Sequence, residues 1–215
     1  MTDAHFHRGA ATLISVRGVE CRFWGVHPWS AESEPLAEAI ARIRAAAVAD
    51  PASGIGEIGL DRLRTKTVTA AQRSLFDAQL RLAADLHRPV VLHGAKCWGE
   101  VVRTVKPFAK DIPAFLFHGF SRSGGLLPEI VALNGFVSVG KAVLNDHAEN
   151  YRALVSRLPH DRLLVETDDA AEADTEAARA ALLAAIFAKT AELTGITEAE
   201  LDANAAAFLN MQRFP

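Results

Sequence analysis

Apolar residues recur at helical spacing through much of the chain. Leu36, Ile40, Ile43 and Ala47 lie three or four apart, as do Leu75, Ala78, Leu82 and Leu86, which predicts amphipathic helices over residues 35–50 and 69–87. Pro35 suits a first helical turn. The alanine-rich stretches at 45–49 and 177–188 keep the same spacing, and "TEAE" at 197–200 has the spacing of a capping box before "LDANAAAFL". Between these segments lie short apolar runs at 54–60, 89–93, 114–118, 135–140 and 162–168. Strands that alternate with helices predict a parallel α/β fold.

Several of these runs finish on ionisable residues. Glu57 lies near the end of one, and His93, His118 and Asp168 end three others. A (β/α) barrel gathers the C-terminal ends of its strands at one mouth, whereas an open sheet spreads them along a line. The pattern therefore predicts a TIM-type (β/α) barrel, formed as one domain over residues 1–215.

The first thirty residues are irregular. In "DAHFH", strict strand alternation places Asp3, His5 and His7 on one face and Ala4 and Phe6 on the other. "TLISV" (12–16) and "CRFWGV" (21–26) both read as strands. Too few residues separate them for a parallel crossover, which takes roughly a dozen. An antiparallel hairpin through "RGVE" is expected instead, giving a distorted, shortened N-terminal rim.

Composition narrows the function. Half of the 215 residues are hydrophobic and the formal net charge is -3, so no overall electrostatic footprint for nucleic acid or an anionic membrane is present. The two cysteines, Cys21 and Cys97, are unpaired in spacing and fit a reducing compartment. No apolar leader core or membrane-length run occurs, so the expected location is the cytoplasm, with no membrane partner.

The candidate chemistry is metal chemistry. Imidazole and carboxylate together suit zinc, manganese or iron, and carboxylate with water suits magnesium. Six potential ligands are His5, His7, Glu57, His93, His118 and Asp168. Two divalent ions are expected, one on His5, His7 and Asp168, the other on His93 and His118, with Glu57 as the bridging carboxylate. Glu57 and Asp168 are also the candidate catalytic proton acceptors. Each residue alone has an ordinary reading: a strand-end histidine, an ion pair of Glu57 with Arg62 or Arg64, or Asp168 as a helix cap. Their repeated position at strand ends favours the metal site. Lys96 and Arg122 follow two ligand strands and suit either a substrate phosphate or a solvated surface. Trp24, Trp29 and Trp98 fall near mouth loops as anchors or base-stacking platforms, and Cys97 has no evident base partner.

The motifs "DAHFH", "GVHPW", "GEIGLD", "PVVLH", "FHGFS" and "LLVETD" occur in the order found in TatD-like metal-dependent hydrolases. The chain resembles that family from Asp3 to about Phe208, and "GEIGLD" with "ETD" is its more specific part. The resemblance implies a barrel, divalent metals and deoxyribonuclease or broader phosphodiesterase activity. It carries the metal-ligand roles onto the six residues above and places His27 of "GVHPW" beside the substrate phosphate. There are departures. The segment between the histidine pair and "GVHP" is short, "ETDD" lacks the usual following proline, and "HGAKCW" brings in Lys96. All touch mouth loops and hence substrate range. With this net charge, single-stranded or terminal DNA is the expected nucleic-acid substrate. Hydrolysis of an amide, lactone or phosphomonoester, or a non-enzymatic binding barrel, are the alternatives.

Overall fold

The computed structural model describes residues 1–8, 11–64, 66–121, 124–168 and 176–209. Eight strands form one sheet in sequence order: β1 (Asp3–Arg8), β2 (Ala11–Val16), β3 (Val19–Trp24), β4 (Gly54–Asp61), β5 (Val90–Ala95), β6 (Phe115–Phe117), β7 (Gly135–Val139) and β8 (Leu163–Val165). The sheet curls into a nearly closed barrel. Strands β3 to β8 are all parallel, while β1–β2 and β2–β3 are antiparallel. The expected N-terminal hairpin is therefore present. Its turn is tighter than "RGVE" suggests, because Val16 already pairs with Val19. Arg17 and Gly18 have φ of +51° and +84°, the left-handed pair that a two-residue hairpin turn requires.

Helices cover the parallel part: α1 (Leu36–Ala49), α2 (Ala70–Leu86), α3 (Trp98–Val105), α4 (Leu127–Ala132), α5 (Glu149–Val155), α6 (Glu176–Thr194) and α7 (Glu198–Leu209). Local chemistry sets their ends. Thr69 Oγ1 accepts the Gln72 N–H at the start of α2. Before α7 the capping box forms in both directions, with Glu200 N–H donating to Thr197 Oγ1 and Thr197 N–H to Glu200 Oε2. In α1, Ala39, Ile43 and Ala47 are buried while Leu36 lies outside the core, so the apolar stripe is offset from the expected face at its first turn. No single helix among the described residues is long and apolar enough to cross a membrane.

Strand alternation divides the core into two apolar shells. Val90, Leu92, Phe115, Phe117, Val137, Leu163 and Val165 pack outward against the helices. Val91, Leu116, Phe136 and Leu164 point inward and meet Ala205, Phe208 and Leu209 of α7. The Phe208 ring lies 6.0 Å from Phe23 and 5.8 Å from Phe136, so α7 plugs the barrel floor. Burying one such phenyl ring contributes about 1.5–3 kcal/mol. The filled floor leaves the opposite end of the barrel for polar side chains.

Candidate metal centre

The inward parity continues past the apolar layer into a polar one. Two residues beyond Val91 is His93, beyond Leu116 is His118, beyond Phe136 is Ser138, and beyond Leu164 is Glu166. Each strand thus presents an apolar residue to the floor and a polar one to the mouth. Glu57 enters this layer by a break in parity. The β4–β5 register shifts between Ile55 and Ile58, so Ile55, Ile58 and Leu60 face the outer shell while Glu57 and Asp61 face inward. A similar shift in β1, between Asp3 and Phe6, turns His5 and His7 to the same site. It also overturns the strict alternation expected there. Asp3 does not join the histidines, and its carboxylate accepts instead from Thr167 N (3.0 Å), Thr167 Oγ1 (2.8 Å) and Arg179 Nη1 (2.9 Å).

The other five candidate ligands gather around Glu57. Its Oε2 lies 3.4 Å from His5 Nε2 and 3.6 Å from His7 Nε2. Its Oε1 lies 2.6 Å from His93 Nδ1, 2.7 Å from His118 Nε2 and 3.5 Å from His27 Nε2. Asp168 Oδ1 approaches His5 Nε2 at 3.6 Å and His7 Nε2 at 3.9 Å. Three positions differ from the sequence expectation. His93 lies two residues inside the end of β5. Glu57 sits in the middle of its strand, and Asp168 lies beyond the end of β8 at φ +48°, its N–H donating to the His5 carbonyl at 3.0 Å. That bond and the Asp3–Thr167 pair tie the end of β8 to β1.

Electrostatics follow from burial and proximity. Burial alone would raise the Glu57 carboxyl, but the charge of His118 and its hydrogen bond, with the His27 and His5 rings close by, hold it well below the usual carboxylate range. Burial alone would lower His118, yet the Glu57 and Glu166 carboxylates lift it well above the usual imidazole range. His7 is lowered by burial and by its neighbour His5.

The remaining sequence candidates divide. His27 joins the cluster: its Nδ1 accepts the Trp29 N–H, which leaves Nε2 as the N–H facing Glu57. Lys96 is exposed and lines a mouth cavity together with His93, His118 and Asp168. Arg122 lies outside the described residues. Trp29 is 54% exposed at the mouth, whereas Trp98 is a core residue against Phe117 and Phe120. Cys97 is buried with its thiol on the Leu60 carbonyl, and burial pushes it up to about 11, consistent with packing.

Two functional-site neighbours, Asp61 and Glu166, escaped the sequence reading, and a third, Asp3, was expected on the wrong face. Asp61 Oδ2 lies 2.9 Å from His93 Nε2. Buried Glu166 lies 3.5 Å from His118 Nδ1 and accepts from Ser138 Oγ. Asp3 clamps the Asp168 turn through Thr167. The signal for the first two was available, since Asp61 and Glu166 stand at even spacing from Glu57 and Asp168 within the same motifs.

The donor set fits divalent ions. Neither ring nitrogen of fully buried His5 has a hydrogen-bond partner among the described residues, a costly arrangement that a cation at Nε2 would relieve. Three triplets bring their ligand atoms within 4.8 Å of one another: His5, His7 and Glu57; His5, His118 and Asp168; and His27, Glu57 and His93. The cluster forms one end of a cleft of about 1100 Å³ that also runs past Trp24 and Arg42.

Comparison with known proteins gives a consistent picture. The family model described as TatD related DNase matches residues 4–214. A 3'-5' ssDNA/RNA exonuclease TatD from Musicola paradisiaca is 33% identical over 145 residues, covering 67% of this chain and 54% of the relative. An uncharacterised metal-dependent hydrolase, YabD, from Bacillus subtilis is 29% identical over 144 residues, covering 67% of this chain and 56% of the relative. The chain therefore spans about half the length of these curated relatives. Among solved structures, the TatD homologue YjjV of Escherichia coli K12 superposes with a TM-score of 0.68 at 27% identity, covering 87% of this chain and 73% of its own.

Proposed function

The chain belongs to the TatD-related DNase family of metal-dependent hydrolases, and on that premise we propose that it cleaves phosphodiester bonds of single-stranded nucleic acid, working from an end. The observation that carries this reading is the division of the Glu57 carboxylate, with Oε2 toward His5 and His7 and Oε1 toward His93 and His118. A carboxylate so placed suits the bridge of a two-ion site. His5, His7 and Asp168 would hold one ion and His93 and His118 the other, with zinc, manganese or magnesium as the candidates. Divalent ions bound there would bring the pKa of a bound water toward neutrality and polarise the scissile phosphoryl group.

The protein side chains do the rest. Both Glu57 oxygens are already engaged by imidazoles, so Asp168, whose side chain is 46% exposed at the mouth, is the better placed proton acceptor. His27 offers its Nε2–H to a phosphoryl oxygen, and exposed Lys96 offers a further cation on the same rim. The buried neighbours exclude water from the histidine side of the cluster and so strengthen these contacts.

The test is a metal-resolved assay. Stripped protein is reloaded with magnesium, manganese or zinc and offered end-labelled single-stranded DNA and RNA, blunt duplex, a phosphodiester dye ester and an amide panel. Stepwise, metal-restored shortening of the single strands is expected. Turnover of amides or phosphomonoesters alone would contradict the proposal.

A further inference from the structure

The His93 ring is held at both nitrogens. Glu57 Oε1 lies 2.6 Å from Nδ1 and Asp61 Oδ2 lies 2.9 Å from Nε2. The two carboxylates come from one strand, on either side of Gly59, which pairs with His93 across the β4–β5 ladder. A Cβ at Gly59 would meet the His93 carbonyl oxygen at 2.0 Å, so the glycine lets β4 approach β5 closely enough for both acids to reach one ring.

We propose that Asp61 is a positioning residue for the metal centre: it holds His93 by Nε2 so that Nδ1 is the nitrogen offered to the ion beside Glu57. This rests on His93 being a ligand, as argued above. The proton assignment comes from the other partners of Asp61. Arg64 N–H donates to Oδ1 at 2.8 Å and Trp29 Nε1–H donates to Oδ2 at 2.8 Å. Neither group can accept, so Asp61 acts as an acceptor on both oxygens, and His93 Nε2 carries the proton. With Nε2 turned to Asp61, Nδ1 is the nitrogen left for an ion on the Glu57 side, where the ion would take the place of the proton shared with Oε1. Asp61 is itself 1% exposed, and its own N–H donates to Gln72 Oε1 at 3.0 Å, so the acceptor is fixed from several sides. A carboxylate behind a ligating histidine fixes ring orientation and raises ligand basicity, and its loss typically costs 10–100-fold in metal affinity.

The competing view is that Asp61 merely anchors Trp29 at the mouth. Chelator-competition titration of the stripped full chain with zinc separates the two, read together with the melting temperature of the metal-free form. Asp61→Asn and Asp61→Ala should each weaken one of two bound ions by about 10–100-fold and leave the other unchanged. Trp29→Phe, which removes the indole N–H and keeps an aromatic ring at the mouth, should bind both ions as the wild type does. Wild-type affinities in both Asp61 variants would overturn the proposal. So would an equal loss in Trp29→Phe. A wild-type chain that takes up fewer than two ions would overturn the two-ion site itself, and that failure is seen before any variant is made.

Discussion

Glu57 Oε1 and His118 Nε2 lie 2.7 Å apart in a site where both residues are nearly inaccessible to solvent. In the metal-free chain each favours the charged form of the other, and a divalent ion at the point where the other histidines converge would take the place of the shared proton. Glu57→Gln keeps the shape of the side chain and removes the charge. The amide bridges two cations poorly and leaves His118 without its counter-charge. Metal-restored hydrolysis should fall by at least about 100-fold, taking the upper end of outer-partner losses as the floor for a ligand. Steady-state assays at saturating metal, beside circular dichroism, check it.

At saturating metal, Asp168 probes proton transfer with less disturbance of the core than buried Glu57 does. Its φ of +48° is a conformation that asparagine tolerates well, and its side chain is 46% exposed. Asp168→Asn should fold normally and lose about 10²–10⁴-fold in kcat, the range for general acid–base catalysis. A larger effect on KM than on kcat would contradict the assignment as proton acceptor.

The turn that carries Asp168 depends on a buried ion pair. Arg179 Nη1 bonds Asp3 Oδ2 at 2.9 Å and its guanidinium lies 4.1 Å from the Phe6 ring centroid. Asp3 in turn holds both the N–H and the hydroxyl of Thr167. Arg179→Ala strands the Asp3 carboxylate and should cost about 3 kcal/mol or more of stability. Denaturant unfolding measures this. Arg179→Lys should recover only part of it, since an ammonium cannot reproduce the planar contact with Phe6.

A pH effect is expected at the barrel floor. Asp202 of α7 accepts Thr2 Oγ1–H at 2.6 Å and Arg17 Nε–H at 2.8 Å. Burial would raise its carboxyl, but these two hydrogen bonds outweigh it and hold the group below the usual range. A depressed folded-state value means that the unfolded chain binds the proton more tightly. The stabilisation is therefore complete above the ordinary aspartate range and is lost as pH falls through the folded value. Asp202→Asn should be less stable than wild type by about 1–2 kcal/mol at pH 7, a hydrogen bond to a charged group discounted for the exposed Arg17. The gap should close below about pH 4, near the unfolded aspartate value. A gap that widens in acid would contradict the sign.

Much of this site was legible in the chain. Short apolar runs between helices marked the parallel strands, and the ionisable residues His93 and His118 at the ends of those runs marked the mouth. The hairpin followed from chain length, because no crossover fits between Val16 and Val19. What escaped were the consequences of broken alternation. The register shifts in β1 and β4 decide that His5 and Glu57 face inward and that Asp3 turns to Thr167, and no periodic rule anticipates a shift. Asp61 and Glu166 were missed for another reason. Their even spacing from Glu57 and Asp168 put them on the ligand face, but their contacts with His93 and His118 run between strands, and no single segment shows them.

If Glu57 is shared by two ions, anomalous diffraction from crystals of the zinc-loaded protein will show both. Two peaks about 3.5–4 Å apart should flank the Glu57 carboxylate, one beside His5, His7 and Asp168 and one beside His93 and His118. A single peak, or His93 and His118 with no ion within bonding distance, would contradict the account.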